Sequence, residues 1–141
     1  MPRYSYTSDP AHGLIVHVNG EQKPVPEITD YIDAAVFGDI KNKSELAREL
    51  GITPQSLSNW GRRGMFPSDD HMLRLADLLN VNRAAALMHL NIWRAPGEAA
   101  TVYKGIFETI TKTAASIFPA LFLLETFANK VTQNISTLYI M

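Results

Sequence analysis

Between Asn42 and Asn82 the chain is cut into short pieces by residues that start or stop helices, and this punctuation restricts the fold more than any other feature. Asn42, followed three residues later by Glu45, has capping-box spacing. Thr53 can cap and Pro54 can open a second helix, Ser68 with Asp69 and Asp70 starts a third, and Asn82 can cap a fourth. Gly51, Gly61, Gly64 and Pro67 are the stops. The apolar residues between these marks fall at helical spacing: Leu46, Ala47 and Leu50, then Leu57 and Trp60, then Met72, Leu75, Ala76 and Leu79, then Leu87, Leu90 and Trp93. Upstream, Ile28, Tyr31, Ile32, Ala35 and Val36 form one more stripe, which Gly38 ends. The expectation is a mainly α fold with five short helices over residues 27–95.

The flanks read differently. Residues 1–13, punctuated by Pro2, Pro10 and Gly13, read as irregular. Leu14 to Val18 is strand-like, Asn19-Gly20 is a strong two-residue turn signal, and Glu21 to Val25 can return as a second strand. Pro24 and Pro26 confine that return to an edge. Residues 1–26 are therefore expected to be an arm or a small N-terminal β-hairpin. Past Ala95-Pro96-Gly97, the expected boundary, Tyr103, Ile106, Phe107, Ile110, Ala114, Ile117 and Phe118 repeat at helical spacing, with Lys104, Glu108 and Lys112 on another face until Pro119 interrupts. Residues 96–141 thus read as an apolar, C-terminal helical extension. Its uncharged runs, between Lys112 and Glu125 and from Val131 onward, are shorter than the roughly 18 to 20 residues of a spanning helix.

The 141 residues suffice for one core and leave little room for a second. Charge is unevenly spread. Residues 1–40 carry 2 basic and 6 acidic groups, residues 41–95 carry 8 and 5, and residues 96–141 carry 3 of each. The positive excess lies in the segment with the dense helix punctuation. Cysteine is absent, which excludes a disulfide framework, a thiolate zinc site and a cysteine nucleophile. His12, His17, His71 and His89 lack metal-ligand spacing, no glycine-rich phosphate loop follows a strand, and no serine sits in a nucleophile elbow. Neither enzyme, cofactor nor metal site is expected. The first residues lack the apolar core of a signal peptide, so a cytoplasmic location is the expectation.

Ser44 to Trp60 carries the most specific pattern. Two helices crossing steeply through a tight turn need a small residue where they approach, a residue that accepts left-handed dihedrals in the turn, and apolar residues facing inward from both. Ala47, Gly51, and Leu46, Leu50, Ile52, Leu57 and Trp60 meet these demands together. Residues 43–62 resemble a helix-turn-helix of the phage-repressor type. Leu57-Ser58-Asn59-Trp60, then Arg63-Gly64, then Phe66-Pro67, is similar to a run in the lambda-repressor-like domains of temperate-phage CI-type and Cro-like repressors. The apolar tail ending in Leu-Tyr-Ile-Met is similar to small helix-turn-helix proteins of filamentous phages.

The resemblance implies that the helix opened by Pro54 enters a DNA major groove. With Leu57 and Trp60 inward, Thr53, Pro54, Gln55, Ser56, Ser58 and Asn59 remain for the outer face and its edges. Gln55 and Asn59, four apart, each suit a bidentate contact to adenine, and Ser56 and Ser58 suit base or phosphate. Arg62 and Arg63 suit phosphates, with guanine within an arginine's reach. Thr53 and the amides opening this helix can hold a phosphate oxygen, while Lys41 and Lys43 add backbone charge. The plainer readings stay open: Gln55 and Asn59 as solvated side chains, the arginines as a solvated turn, and Thr53 as a cap only. Residues 96–141 are too few and too helical in pattern for the self-cleaving β domain that CI-type repressors often carry. The implied partner is double-stranded DNA, bound by a homodimer joined through residues 96–141 or the hairpin. Packing of the tail on the helical domain and peripheral membrane contact are the alternatives. An interaction protein or membrane-associated phage protein is the competing function.

Overall fold

The computed structural model describes residues 2–113. Three strands, β1 (Tyr4–Asp9), β2 (Gly13–Val18) and β3 (Glu21–Gln22), precede helices α1 (Ile28–Phe37), α2 (Lys43–Leu50), α3 (Pro54–Asn59), α4 (Asp69–Leu79) and α5 (Arg83–Arg94). Residues 98–113 are also helical. The first compact unit is Met1–Phe107 and the second Glu108–Met141. The Ala95-Pro96-Gly97 segment is thus a bend inside the first unit, with Gly97 at φ +52°. The readings made for Ala114, Ile117, Phe118, Pro119 and the uncharged runs lie outside the described residues.

Helices α2 to α5 each begin where a short polar side chain accepts an amide the helix cannot satisfy. Asn42 Oδ1 accepts from Glu45 N–H at 2.9 Å, Thr53 Oγ1 from Ser56 at 3.1 Å, Ser68 Oγ from His71 at 3.2 Å, and Asn82 Oδ1 from Ala85 at 2.9 Å. At α1 the Asp30 carboxylate accepts Glu27 N–H at 2.8 Å and also pairs with Lys23 Nζ at 2.9 Å. Burial would lower the Lys23 pKa, but the Asp30 and Glu27 carboxylates outweigh it and raise the value. The stops are local as well. Gly51 at φ +74° and Asn80 at φ +55° turn the chain left-handed, so that Ile52 N–H reaches Ala47 O and Val81 N–H reaches Ala76 O, both at 2.9 Å.

The inward stripes meet in one core of Ile28, Tyr31, Leu46, Leu50, Leu57, Met72, Leu75 and Leu90, closed on one side by Leu14 and Val16 of β2. That closure is tight. A Cβ at Gly13, where φ is +72°, would lie 2.7 Å from the Ala85 Cβ, so only glycine lets the sheet reach α5. Beneath the contact, the Tyr31 hydroxyl lies 2.6 Å from His89 Nδ1, and both side chains are fully buried. Phe107 covers the outer side, its ring 4.9 Å from that of His89, in a small second cluster with Ala85 and Ile92.

The N-terminal segment departs from expectation. Residues 4–9, read as irregular, form β1, which pairs antiparallel with β2 along its whole length, from Tyr4 opposite Val18 to Asp9 opposite Gly13. The expected hairpin across Asn19-Gly20 exists but is minor, because β3 ends after Glu21 and Gln22. Pro24 and Pro26 have no N–H to continue the ladder. The result is a three-stranded sheet in the order β1-β2-β3.

Candidate nucleic-acid interface

Helix α3 hides two residues and shows the rest. Leu57 is buried on the core, and Trp60 is buried beside His71, with ring centroids 6.2 Å apart. Trp60 is no longer helical: at φ −63° and ψ 130° it ends α3 one residue earlier than the apolar spacing alone suggests. The outer surface carries Pro54, Gln55 and Ser58, all exposed, with Asn59 half-buried at the helix end. Gln55 Nε2 donates to Asn59 Oδ1 at 3.3 Å, so the two amides share a face as four-residue spacing requires. Ser56 is less available than its sequence position implies. Its hydroxyl accepts from Thr53 Oγ1 at 3.0 Å and it is half-buried.

The opening of α3 is also more nearly satisfied than the resemblance implies. Pro54 has no N–H, Ser56 N–H is taken by Thr53 Oγ1, and Leu57 N–H bonds Thr53 O at 3.2 Å. Only the Gln55 amide of that first turn remains for a phosphate oxygen.

Beyond Trp60 the chain folds into a compact loop closed by Gly61 N–H to Met65 O at 2.7 Å and Met65 N–H to Arg62 O at 2.9 Å. Arg63 adopts φ +53°, a left-handed conformation that costs a side-chain-bearing residue on the order of 1 kcal/mol. The loop displays Arg62 and Arg63 to solvent, next to the end of α3. Lys41 and Lys43 are likewise exposed, on either side of the Asn42 cap. Among the described residues none of these four cations forms an ion pair. A groove of about 350 Å³ brings Lys43, Ser58 and Arg62 together from three parts of the sequence. Its far wall, missed in the sequence, is the polar side of α1, Thr29 and Asp33. Their i, i+4 spacing opposite the buried stripe was the available signal. Asp33 thus places a negative charge in the same groove as the cationic Lys43 and Arg62. Among the described residues no group of three or more His, Asp or Glu side chains could hold a metal ion.

Two helices joined by a glycine turn, the first packed inside and the second offering a polar outer face flanked by unpaired cations, define a helix-turn-helix module. Residues 37–84 match the family model of the bacteriophage CI repressor helix-turn-helix domain. This segment, about a third of the chain, is therefore a DNA-binding domain of the phage-repressor type, the domain of a transcriptional regulator. No curated protein and no solved structure matches the chain.

Proposed function

We propose that the chain is a sequence-specific, double-stranded DNA-binding repressor of a phage or other mobile element, acting in the bacterial cytoplasm. The observation that carries this reading is the outward face of α3, with Gln55, Ser58 and Asn59 beside the unpaired Arg62, Arg63, Lys41 and Lys43 on a CI-type domain. Gln55 and Asn59 read adenine edges, Ser58 reaches base or phosphate, and Thr53, Pro54 and Ser56 fix the helix entry close to the backbone. Arg62, Arg63, Lys41 and Lys43 neutralise phosphates and displace their counterions. One module covers few base pairs, so two copies set about one DNA turn apart supply operator specificity. The tail at residues 96–141 and the N-terminal sheet are the candidate contacts between copies.

Selection of bound duplexes from a randomised library, at low and at physiological salt, tests the reading. A palindromic consensus is the expected outcome. Retention without sequence enrichment would leave only backbone affinity, and no retention at low salt would remove DNA as the ligand.

A second reading, an interaction or membrane-associated protein, draws on the helical segment after Gly97, where Val102 and Ile106 are exposed. No helix among the described residues is long and apolar enough to cross a membrane. Replacing these two residues by glutamate discriminates the readings. Loss of a membrane or protein partner with DNA binding intact favours the second.

A further inference from the structure

We infer that β1 is a self-pairing edge: a second copy of this chain adds its own β1 antiparallel across a two-fold axis midway between the two Tyr6 residues, joining two three-stranded sheets into one of six strands. The inference takes from the proposed function only the need for two copies. Association is measured without DNA, so its failure and that of the DNA reading are separable.

The ladder geometry identifies the groups on offer. Arg3 O accepts Asn19 N–H at 2.8 Å, so the main chain of Arg3 faces β2, and by alternation so do those of Ser5, Thr7 and Asp9. The N–H and C=O of Tyr4, Tyr6 and Ser8 therefore point away from the sheet. No hydrogen bond among the described residues engages them. An edge of this kind pairs with another strand unless it is blunted by proline, lysine, a bulge or a cover. Tyr-Ser-Tyr-Thr-Ser contains neither proline nor charge, and its paired register with β2 runs without a bulge.

The sequence of the edge is complementary to itself in one register. Centred on Tyr6, antiparallel pairing sets Tyr4 opposite Ser8 of the second copy and Ser5 opposite Thr7, and engages all six outward main-chain groups of each strand. It also sets Arg3 opposite Asp9, whose carboxylate already accepts from the Ala11 amide and from His12 and keeps its negative charge toward the guanidinium, at both ends of the joined strands. A slip of two residues in either direction loses that match. The surroundings suit a partner strand too. Beside the edge, a groove of about 290 Å³ is lined by Tyr6, Ser8, Ala34, Ile40, Leu78 and Leu79. Phe37, 81% exposed, stands 6.2 Å from the Tyr6 ring. Tyr4 of the second copy, opposite Ser8, falls on the same face of the sheet as this groove, where it covers apolar surface now open to water.

The chain has no cysteine, which permits a test of the register itself. Ser5 and Thr7 face each other as a non-hydrogen-bonded pair with Cα atoms about 4.5 Å apart, within disulfide reach, whereas like residues lie about 7 to 8 Å apart. Ser5→Cys and Thr7→Cys chains, each exposed on the outer face, are oxidised alone and mixed. The mixture is expected to give the 5–7 cross-linked dimer, and each variant alone little. Equal yields in all three samples would overturn the register. In parallel, sedimentation of the full chain over about 1 to 100 μM reads the association directly, with Ser8→Pro blocking the edge at an amide the fold does not use. The expected result is a dimer weakened about tenfold or more by Ser8→Pro, with an unchanged thermal melt. A full-chain monomer throughout, a dimer indifferent to Ser8→Pro, or slow amide exchange at Tyr4, Tyr6 and Ser8 in a monomer would each overturn the inference, the last by showing that the chain covers its own edge.

Discussion

Helix α3 and strand β1 are both six residues long and both turn polar groups to solvent, yet they leave different things unsatisfied. In α3 the main chain of the first turn, apart from the Gln55 amide, is spent on the helix and its Thr53 cap, and what faces outward is a particular set of side chains. In β1 the outward groups include the main chain itself at alternate residues. A surface of side chains can discriminate among partners by their hydrogen-bonding pattern. A surface of amides and carbonyls binds any compatible strand, and owes its selectivity to the residues at either end, here Arg3 and Asp9. On the two readings proposed above, one face reads a foreign polymer and the other meets its own kind.

This contrast is sharpest between the buried anchor of α3 and the exposed outer face of β1. Leu57→Ala removes the buried anchor of α3 and is expected to cost on the order of 2 to 5 kcal/mol, read by chemical denaturation, with DNA binding lost as the helix loosens. Thr7→Ala, on the exposed outer face of β1, should change stability by less than about 0.5 kcal/mol. Comparable losses would mean that the sheet is as deeply committed to the core as the recognition helix.

Helix α5, against which the start of β2 packs, contains a titratable group. Burial, with a smaller push from the charge of His12, lowers His89 to about 4. Among the described residues its Nε2 has no hydrogen-bond partner. Between an unfolded value near 6.5 and about 4, the unfolded chain binds a proton that the folded chain refuses. Stability is therefore complete above about pH 6.5 and falls as the pH drops toward 4, by on the order of 3 kcal/mol. Thermal melts at pH 7.5, 5.5 and 4.5 check this, and His89→Leu should flatten the acid limb. An unchanged acid limb in that variant would assign the loss to other groups.

The smallest effect separates readers from holders within the DNA face. Gln55→Ala is expected to cost about 1 to 3 kcal/mol on the preferred duplex and little on random sequence. Arg62→Ala should weaken both alike and lower the salt slope by about one. If both substitutions act equally on both duplexes, α3 holds DNA without reading it.

What was legible in the sequence was whatever is decided within a few residues. Asn42, Thr53, Ser68 and Asn82 cap their helices because a cap needs only the amide three residues on, and Gly51 stops α2 for an equally local reason. The inward faces of Leu57 and Trp60 followed from spacing. Strand β1 was missed because it alternates tyrosine with small polar residues and has no aliphatic one, so its pairing depends on β2 and on the helices behind. The docking of Phe107 on α5 depends on residues far earlier in the chain. The engagement of Ser56 by Thr53 lies within local range, but a serine hydroxyl rotates freely between a neighbour and solvent, so spacing alone does not reveal it.

Gly13 is closed to substitution twice over, by a dihedral that side chains avoid and by Ala85 standing where a Cβ would go. It lies outside the segment that matches the repressor domain model. In any descendant of a common ancestor that keeps this sheet on α5, glycine should persist at that position while the tyrosines and serines of β1 drift with their partner. A single invariant glycine, about two dozen residues ahead of the matched domain, would then mark which phage-repressor domains inherited the sheet and which did without it.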